Sequence, residues 1–177
     1  MKDKINVRMC KIEDIATVTR IRIDAWRGAF TGIINQQTLD EFDYQSEAKT
    51  AADEFETRNT ANNLCIAETA NKIIGFCIFD AARAISIPKG ESKLGEIRAF
   101  YVDPVNQRCG AGRTIFDFVA QKLNERGFDK MVIWTLDGNK IGINFYEKIG
   151  GALCGTRERE IRGHDYTEIG YLFSIKP

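Results

Sequence analysis

Gln107-Arg108-Cys109-Gly110-Ala111-Gly112 decides the reading of this chain, because it joins a strand-like run ending at Pro104 to an amphipathic helix through two glycines. Glycine lets the backbone turn sharply and come close to a ligand, so the amides of Gly110, Gly112, Arg113 and Thr114 can converge on one spot. The positive end of the following helix dipole adds to those donors, and Arg108 and Arg113 put formal charge beside them. The expected occupant is a phosphate. Neither of the two common phosphate motifs fits: a dinucleotide fingerprint needs a third small residue where Ile115 stands, and a Walker loop needs Gly in place of Gln107 and Lys in place of Arg113.

Upstream of the loop, Glu96 to Val102 alternates with a period of two, which predicts Glu96, Arg98, Phe100 and Val102 on one strand face and Ile97, Ala99 and Tyr101 on the other. Asp103-Pro104 ends that strand, since proline cannot continue a ladder. Downstream, Ile115, Phe118, Val119 and Leu123 form a helical stripe that Gly127 closes. Met131-Val132-Ile133-Trp134 is then a continuous apolar strand of the kind found in parallel, doubly covered positions, so the three pieces read as a βαβ unit. Asn139 is placed to cap a helix running to about Ile149, and two strands follow near Ala152 to Glu160 and Asp165 to Ser174, joined by an Arg162-Gly163-His164-Asp165 turn.

Toward the N-terminus, Ile5 to Met9 alternates as a strand, and Asp14 to Trp26 carries apolar residues at helical spacing with Glu13 and Asp14 at its start. A second helix is expected from about Gln37 to Phe55 on a thin apolar stripe. Leu64 to Glu68 and Ile73 to Asp80 read as an antiparallel hairpin turning at Asn71-Lys72.

The 177 residues are enough for one domain, 1–177, with its own core, and no linker, repeat or low-complexity segment interrupts them. With 25 basic against 25 acidic residues, no bulk attraction to nucleic acid or an anionic membrane is expected. The five cysteines, Cys10, Cys65, Cys77, Cys109 and Cys154, contain no CxxC pair, which argues against a disulfide framework and a zinc site. No run approaches the ~18 apolar residues of a membrane helix, and the N-terminus has no apolar signal core, so the cytoplasm is the expected compartment. His164 is the single histidine, which excludes a histidine-rich metal site; no metal is expected.

The spacing Gln-x-x-Gly-x-Gly, led in by Ile97 to Pro104 and followed by Asn139 and Asn144-Phe145-Tyr146-Glu147-Lys148-Ile149-Gly150, resembles the GNAT superfamily of acyl-CoA-dependent N-acyltransferases. The likeness begins at Val7-Arg8, continues through a helix ending in Ala25-Trp26-Arg27, and closes with the two strands after Gly151. The resemblance implies an α/β (α+β) fold: a mixed, mostly antiparallel sheet with splayed parallel central strands, flanked by helices. It also implies acetyl-CoA as co-substrate, its phosphates on Gln107, Arg108, Cys109, Gly110, Ala111, Gly112, Arg113 and Thr114. The pantetheine arm would lie between the splayed strands, with backbone bonds from Phe100, Tyr101 and Val102 and further contacts from Asn139 and Asn144. Dimers are common in the family, so a homodimer is one expectation.

The resemblance puts the family's general acid at Tyr146, protonating the departing thiolate; a core tyrosine beside Phe145 is the alternative. Attack needs an uncharged amine, so a base or a water relay must take its proton. Glu96, eleven residues before Gln107 where some relatives carry a glutamate base, is the candidate, and an ion pair with Arg98 or a lysine is its alternative. Asn139 suits a structural cap equally, and Asn144 with Lys148 suits a solvated face. Cys109 reads as filler, since nothing nearby makes a Cys-His pair. Trp26, Phe30 and Tyr44 are candidate walls of an acceptor pocket, with core packing as the alternative. Taken together, the expectation is an acetyl-CoA-dependent N-acetyltransferase moving an acetyl group directly to a primary amine of a small molecule or peptide. A non-catalytic acyl-CoA-binding module is the competing reading.

Overall fold

The computed structural model describes residues 4–57, 60–70, 72–91 and 93–175. Its strands are β1 (Asn6–Met9), β2 (Leu64–Thr69), β3 (Lys72–Ala81), β4 (Gly95–Val102), β5 (Lys130–Leu136), β6 (Ala152–Ile161) and β7 (His164–Ser174). Its helices are α1 (Ile15–Phe30), α2 (Gln36–Asp40), α3 (Tyr44–Thr57), α4 (Ala111–Glu125) and α5 (Lys140–Lys148). The strands form one sheet in the order β1-β2-β3-β4-β5-β7-β6, antiparallel except for the central β4/β5 pair. The mixed α/β sheet with a parallel centre is therefore as the sequence predicts, and α4 is the crossover of the βαβ unit. Among the described residues no helix is long and apolar enough to cross a membrane.

Two apolar layers sandwich the sheet. On one face α4 buries Ile115, Val119 and Leu123 completely, together with Met131, Ile133 and the α5 residue Tyr146. Phe116 rather than Phe118 is the buried phenylalanine of α4, its ring 4.9 Å from Phe173. On the other face α1 presents Ile15, Val18 and Ile21 to Ile66 and Phe76, with Ala51, Ala52 and Phe55 of α3 packed behind.

Three elements differ from expectation. The second helix is two: Asn35 accepts the Gln37 amide at 2.9 Å to start α2, and Asp43 accepts the Ser46 amide at 2.8 Å to start α3. Each cap residue begins its own helix, and the chain leaves the helical path at Glu41-Phe42 between them, which a thin apolar stripe does not oppose. The first α-helix starts at Ile15, after a 3-10 turn over Ile12–Asp14 in which the Asp14 carboxylate accepts from the Lys11 amide (2.8 Å) and from the Arg8 guanidinium (2.7 and 3.0 Å). The β2–β3 hairpin is present with Lys72 already in the strand, and Asn71 lies outside the described residues.

The third difference positions the site. β3 and β4 lose register between Ile78↔Ala99 and Phe79↔Ile97, so Arg98 is the extra residue of a bulge. The bulge reverses the alternation below it: Ile97 joins Phe100 and Val102 in the α4-side core, while Glu96 moves to the face of Ala99 and Tyr101. Beyond the bulge the parallel pair parts. β4 and β5 are paired only from Gly95↔Met131 to Ile97↔Ile133. β4 stays on β3 as far as Val102↔Gly75, and β5 stays on β7 as far as Leu136↔Glu168.

The β3–β4 seam is tight under α4. A Cβ at Gly75 would lie 2.9 Å from the Tyr101 carbonyl oxygen and 3.0 Å from Cδ1 of Ile115. Gly75→Ala is expected to lose about 1–3 kcal/mol of folding stability by overpacking, read by denaturant unfolding; unchanged stability would contradict this packing.

Candidate active site

The glycine loop is strained where the sequence demands glycine. After Asp103-Pro104, a short turn over Pro104–Asn106 leads to Arg108 at φ 60° and Gly110 at φ 103°, a left-handed value that a side chain disfavours. Gly110 precedes the first residue of α4, and no side chain caps the helix. The first-turn amides of Ala111, Gly112 and Arg113 have no intrahelical acceptor and carry the positive end of the dipole. Thr114 departs from the prediction: its amide donates to the Gly110 carbonyl at 3.1 Å and its hydroxyl does likewise at 3.1 Å, so it closes the turn and has no free donor. At Gly112 a Cβ would meet the Phe145 ring at 3.2 Å, so glycine lets α4 and α5 come together here without displacing that ring. Cys109 is exposed, its thiol 3.0 Å from the Asn106 carbonyl, and Arg113 pairs with Asp117 at 2.9 Å.

From this loop a cleft of about 1020 Å³ runs between the parted strands. Gln107, Arg108, Gly110, Gly112 and Arg113 line its mouth, and Phe100, Tyr101 and Val102 of β4 line its length. Main-chain groups of β4 beyond Ile97 that turn toward β5 have no strand to pair with. At the far end stand Trp26 and Phe30 of α1, Leu136, Ile161, Arg159 and Glu168. Trp26 donates its indole N–H to the Tyr101 hydroxyl at 2.9 Å, which fixes both rings in the wall. Tyr44, the third expected wall residue, is elsewhere: its hydroxyl binds Asp24 at 2.7 Å and Arg27 at 3.0 Å, outside the cleft.

Tyr146 projects from α5 into the middle of the cleft. Its ring lies 5.6 Å from Phe145, 5.8 Å from Tyr171 and 6.5 Å from Phe100. The residue is 6% exposed, yet among the described residues its hydroxyl has no hydrogen-bond partner and is not sealed off from the cavity. Burial pushes the phenol pKa well above its ordinary value, so the group stays protonated throughout the physiological range. Gly142, one turn earlier, leaves room for it, since a Cβ there would lie 2.6 Å from Nδ2 of Asn139 and 3.2 Å from the Tyr146 ring. Asn139 lines the cleft but uses its side chain structurally: Oδ1 caps α5 by accepting the Gly142 amide at 3.2 Å, and Nδ2 donates to Thr135 at 2.8 Å. Asn144 and Lys148 are exposed on the cleft side of α5.

Glu96 corrects the sequence reading. Its carboxylate accepts from the Arg83 amide (3.1 Å), Nε (3.0 Å) and Nη2 (2.6 Å), and from the Ser86 hydroxyl (2.5 Å). A carboxylate offers about four lone-pair sites, so none is left for an amine. The side chain is 1% exposed and the cleft wall at this level is Ile97 and Arg98. Burial alone would raise its pKa, but the Arg83 and Ser86 hydrogen bonds outweigh this and hold it below 4.5, which also makes it a poorer base. The ion-pair alternative is the one the geometry realises, with Arg83 as the main partner and Arg98 at 3.6 Å. Sequence reasoning missed Arg83, Ser86 and the Arg157–Glu168–Arg159 cluster on β6 and β7. The Arg-x-Arg spacing on a strand was the available signal, and the hairpin register that pairs it with Glu168 was not.

A sheet split at its parallel pair, with an uncapped helix at the mouth of the split and a tyrosine within it, is the arrangement of an acyl-group transferase. Residues 23–151 match the Acetyltransferase (GNAT) family, and the chain belongs to that family. The uncharacterized N-acetyltransferase YuaI of Bacillus subtilis (strain 168) is 28% identical over 166 residues, 94% of this chain and 91% of the relative. Among solved structures, the PaiA N-acetyltransferase of Thermoplasma acidophilum in complex with coenzyme A shares the fold at TM-score 0.71 and 18% identity, over 94% of this chain and 98% of that one. YncA of Salmonella typhimurium, with its cofactor acetyl-CoA, aligns at TM-score 0.68 and 17% identity over 97% and 94% of the two chains.

Gly110→Val is expected to weaken acetyl-CoA binding about tenfold or more, because the residue must leave its left-handed conformation or bear ~1–3 kcal/mol of strain; titration calorimetry with unaltered affinity would remove the loop from the site. Glu96→Gln is expected to lose about 1–3 kcal/mol of stability by mismatching the Arg83 and Ser86 donors. Because the folded pKa of Glu96 is depressed, its contribution is present above the ordinary value of 4.5 and is lost as pH falls below it. Denaturant melts of the two proteins should therefore differ at pH 7 and converge toward pH 3, whereas a pH-independent gap would contradict the ion pair.

Proposed function

We propose that the chain transfers the acetyl group of acetyl-CoA directly to a primary amine within a ternary complex. The observation that carries this reading is the unbroken path from the uncapped start of α4, along the unpaired edge of β4, to the free hydroxyl of Tyr146. The residues fit the carrier. A concave loop with a left-handed glycine at Gly110, three free amides and the Arg108 cation suit a diphosphate. The vacant strand position beside Phe100, Tyr101 and Val102 suits an extended arm carrying amide groups. The solved relatives that hold coenzyme A and acetyl-CoA on this fold support the same assignment.

In this mechanism a β4 amide polarises the thioester carbonyl and stabilises negative charge as the amine nitrogen attacks its carbon. The carbon–sulfur bond breaks, and Tyr146 gives its proton to the leaving sulfur, then regains one from the proton released by the amine. The raised phenol pKa does not spoil the transfer, because the apolar cleft that disfavours phenolate disfavours thiolate for the same reason. With every acceptor site of Glu96 occupied, the amine proton leaves through water in the open cleft rather than to that carboxylate. Asn139 and Gly142 act one step back, setting the orientation of Tyr146 by capping α5. Asn144 is assigned to the mouth, where the arm passes. The buried free thiols Cys10, Cys65 and Cys77 favour a reducing cytoplasm.

Tyr146→Phe is expected to lower kcat about 100-fold or more while leaving acetyl-CoA affinity nearly intact, since general acid catalysis is typically worth ~10²–10⁴. Thiol release from acetyl-CoA, followed with a panel of amines, measures it. Unchanged turnover would remove Tyr146 from the mechanism, and tight cofactor binding with no acceptor-dependent release would favour a binding module over an enzyme.

A further inference from the structure

The far end of the cleft combines apolar and charged lining residues. Trp26, Phe30, Leu136 and Ile161 make the apolar walls, and Arg159 with Glu168 closes them. Glu168 is the one acid among the described residues lining the cleft, against Arg98, Arg108, Arg113, Arg159, Lys140 and Lys148. Its charge is already matched by two guanidinium groups. At 1% exposure, its Oε2 accepts from Nε of Arg157 at 2.7 Å, with Nη2 of the same arginine in ion-pair contact at 2.7 Å, and its Oε1 accepts from Nη1 of Arg159 at 2.9 Å.

The two arginines differ in what they have left. Arg157 also donates to the Ile85 carbonyl (3.1 Å) and the Ser86 hydroxyl (3.0 Å), and its guanidinium lies over the Trp134 ring at 4.4 Å. Arg159 is 48% exposed and makes the single Nη1 bond, so among the described residues its Nε and Nη2 have no protein acceptor. Two guanidinium charges against one carboxylate leave the trio at net +1, and the surplus donors belong to the arginine that faces the cleft.

We infer that Arg159 receives a carboxylate of the acceptor, and that the acceptor is a small primary amine carrying that carboxylate on an apolar frame, the chemistry of an apolar α-amino acid. This rests on the transferase reading above. A guanidinium fork matches a carboxylate in a bidentate geometry, and partial burial strengthens the pair. Trp26, Phe30, Leu136 and Ile161 accept the apolar frame. A polyamine is disfavoured by the same ledger: its remaining ammonium groups would meet this trio of net charge +1, whose one acid is already held by two guanidinium groups.

The test is thiol release from acetyl-CoA with leucine, leucinamide and spermidine, on the intact protein and on Arg159→Gln and Arg159→Lys. Removing a charged hydrogen-bond partner should lower the leucine-to-leucinamide ratio of kcat/KM about tenfold or more in Arg159→Gln, through KM for leucine, with part of the ratio restored in Arg159→Lys. Each variant is first checked for acetyl-CoA binding by calorimetry. An unchanged ratio in Arg159→Gln, a faster reaction with spermidine than with leucine, or release with none of the three despite bound acetyl-CoA overturns the inference and leaves the cofactor site standing. Failure of the intact protein to bind acetyl-CoA would instead strike the transferase reading itself.

Discussion

Everything in this molecule depends on the fact that β4 and β5 cannot pair for their whole length. Each is held by a longer antiparallel partner, β4 by β3 and β5 by β7, and the two outer ladders continue well past Ile97↔Ile133, where the central ladder stops. A parallel pair is no stronger per residue than an antiparallel one, so the outer ladders set the direction and the central one yields. The bulge at Arg98 fixes where this happens, because an extra residue bends its strand and sharpens the twist. What would be an energetic fault in a buried sheet, a row of unpaired main-chain groups, becomes a place for an extended ligand to act as a strand.

The buried charges make structural sense at the same point. Glu96 at the base of the split ties down the Arg83–Ser86 turn, the Ser86 carbonyl receives the Trp134 indole at 3.0 Å from β5, and the Ser86 hydroxyl receives Arg157 from β6. One connected set of hydrogen bonds thus joins β4, β5, β6 and β7 where the sheet divides. Such pairs are not a strong source of stability relative to apolar packing. Their contribution here is directional, holding strands that no longer hold one another while the α4 and α5 core keeps the other face closed.

Much of this was legible in the sequence. The Gln107–Gly112 stretch marked the helix start, Met131–Trp134 marked a doubly covered parallel strand, and Asn139 marked the α5 cap; each is a local signal carried by a few adjacent residues. What escaped was what local patterns do not encode. Strict alternation assigned Glu96 to the wrong face because a bulge three residues from the strand end shifts the count without leaving a glycine or proline to announce it. Thr114 looked like a fourth amide donor, whereas the helix consumes its N–H in its first intrahelical bond. The last hairpin turns on Arg162 and Gly163, at φ 48° and 79°, and that register brings Arg157 opposite Glu168. A four-residue turn read from sequence does not identify its central pair, so the charge cluster at the end of the cleft stayed hidden.

The central claim is that the unpaired edge of β4 and the free amides opening α4 grip the same thioester carrier. Amide hydrogen exchange with and without acetyl-CoA tests it most directly, with Thr114 as an internal reference whose amide is already bonded to Gly110. The account predicts slowed exchange within Phe100–Val102 and across Ala111–Arg113, with Thr114 little changed. Protection absent from both segments under saturating acetyl-CoA would contradict it.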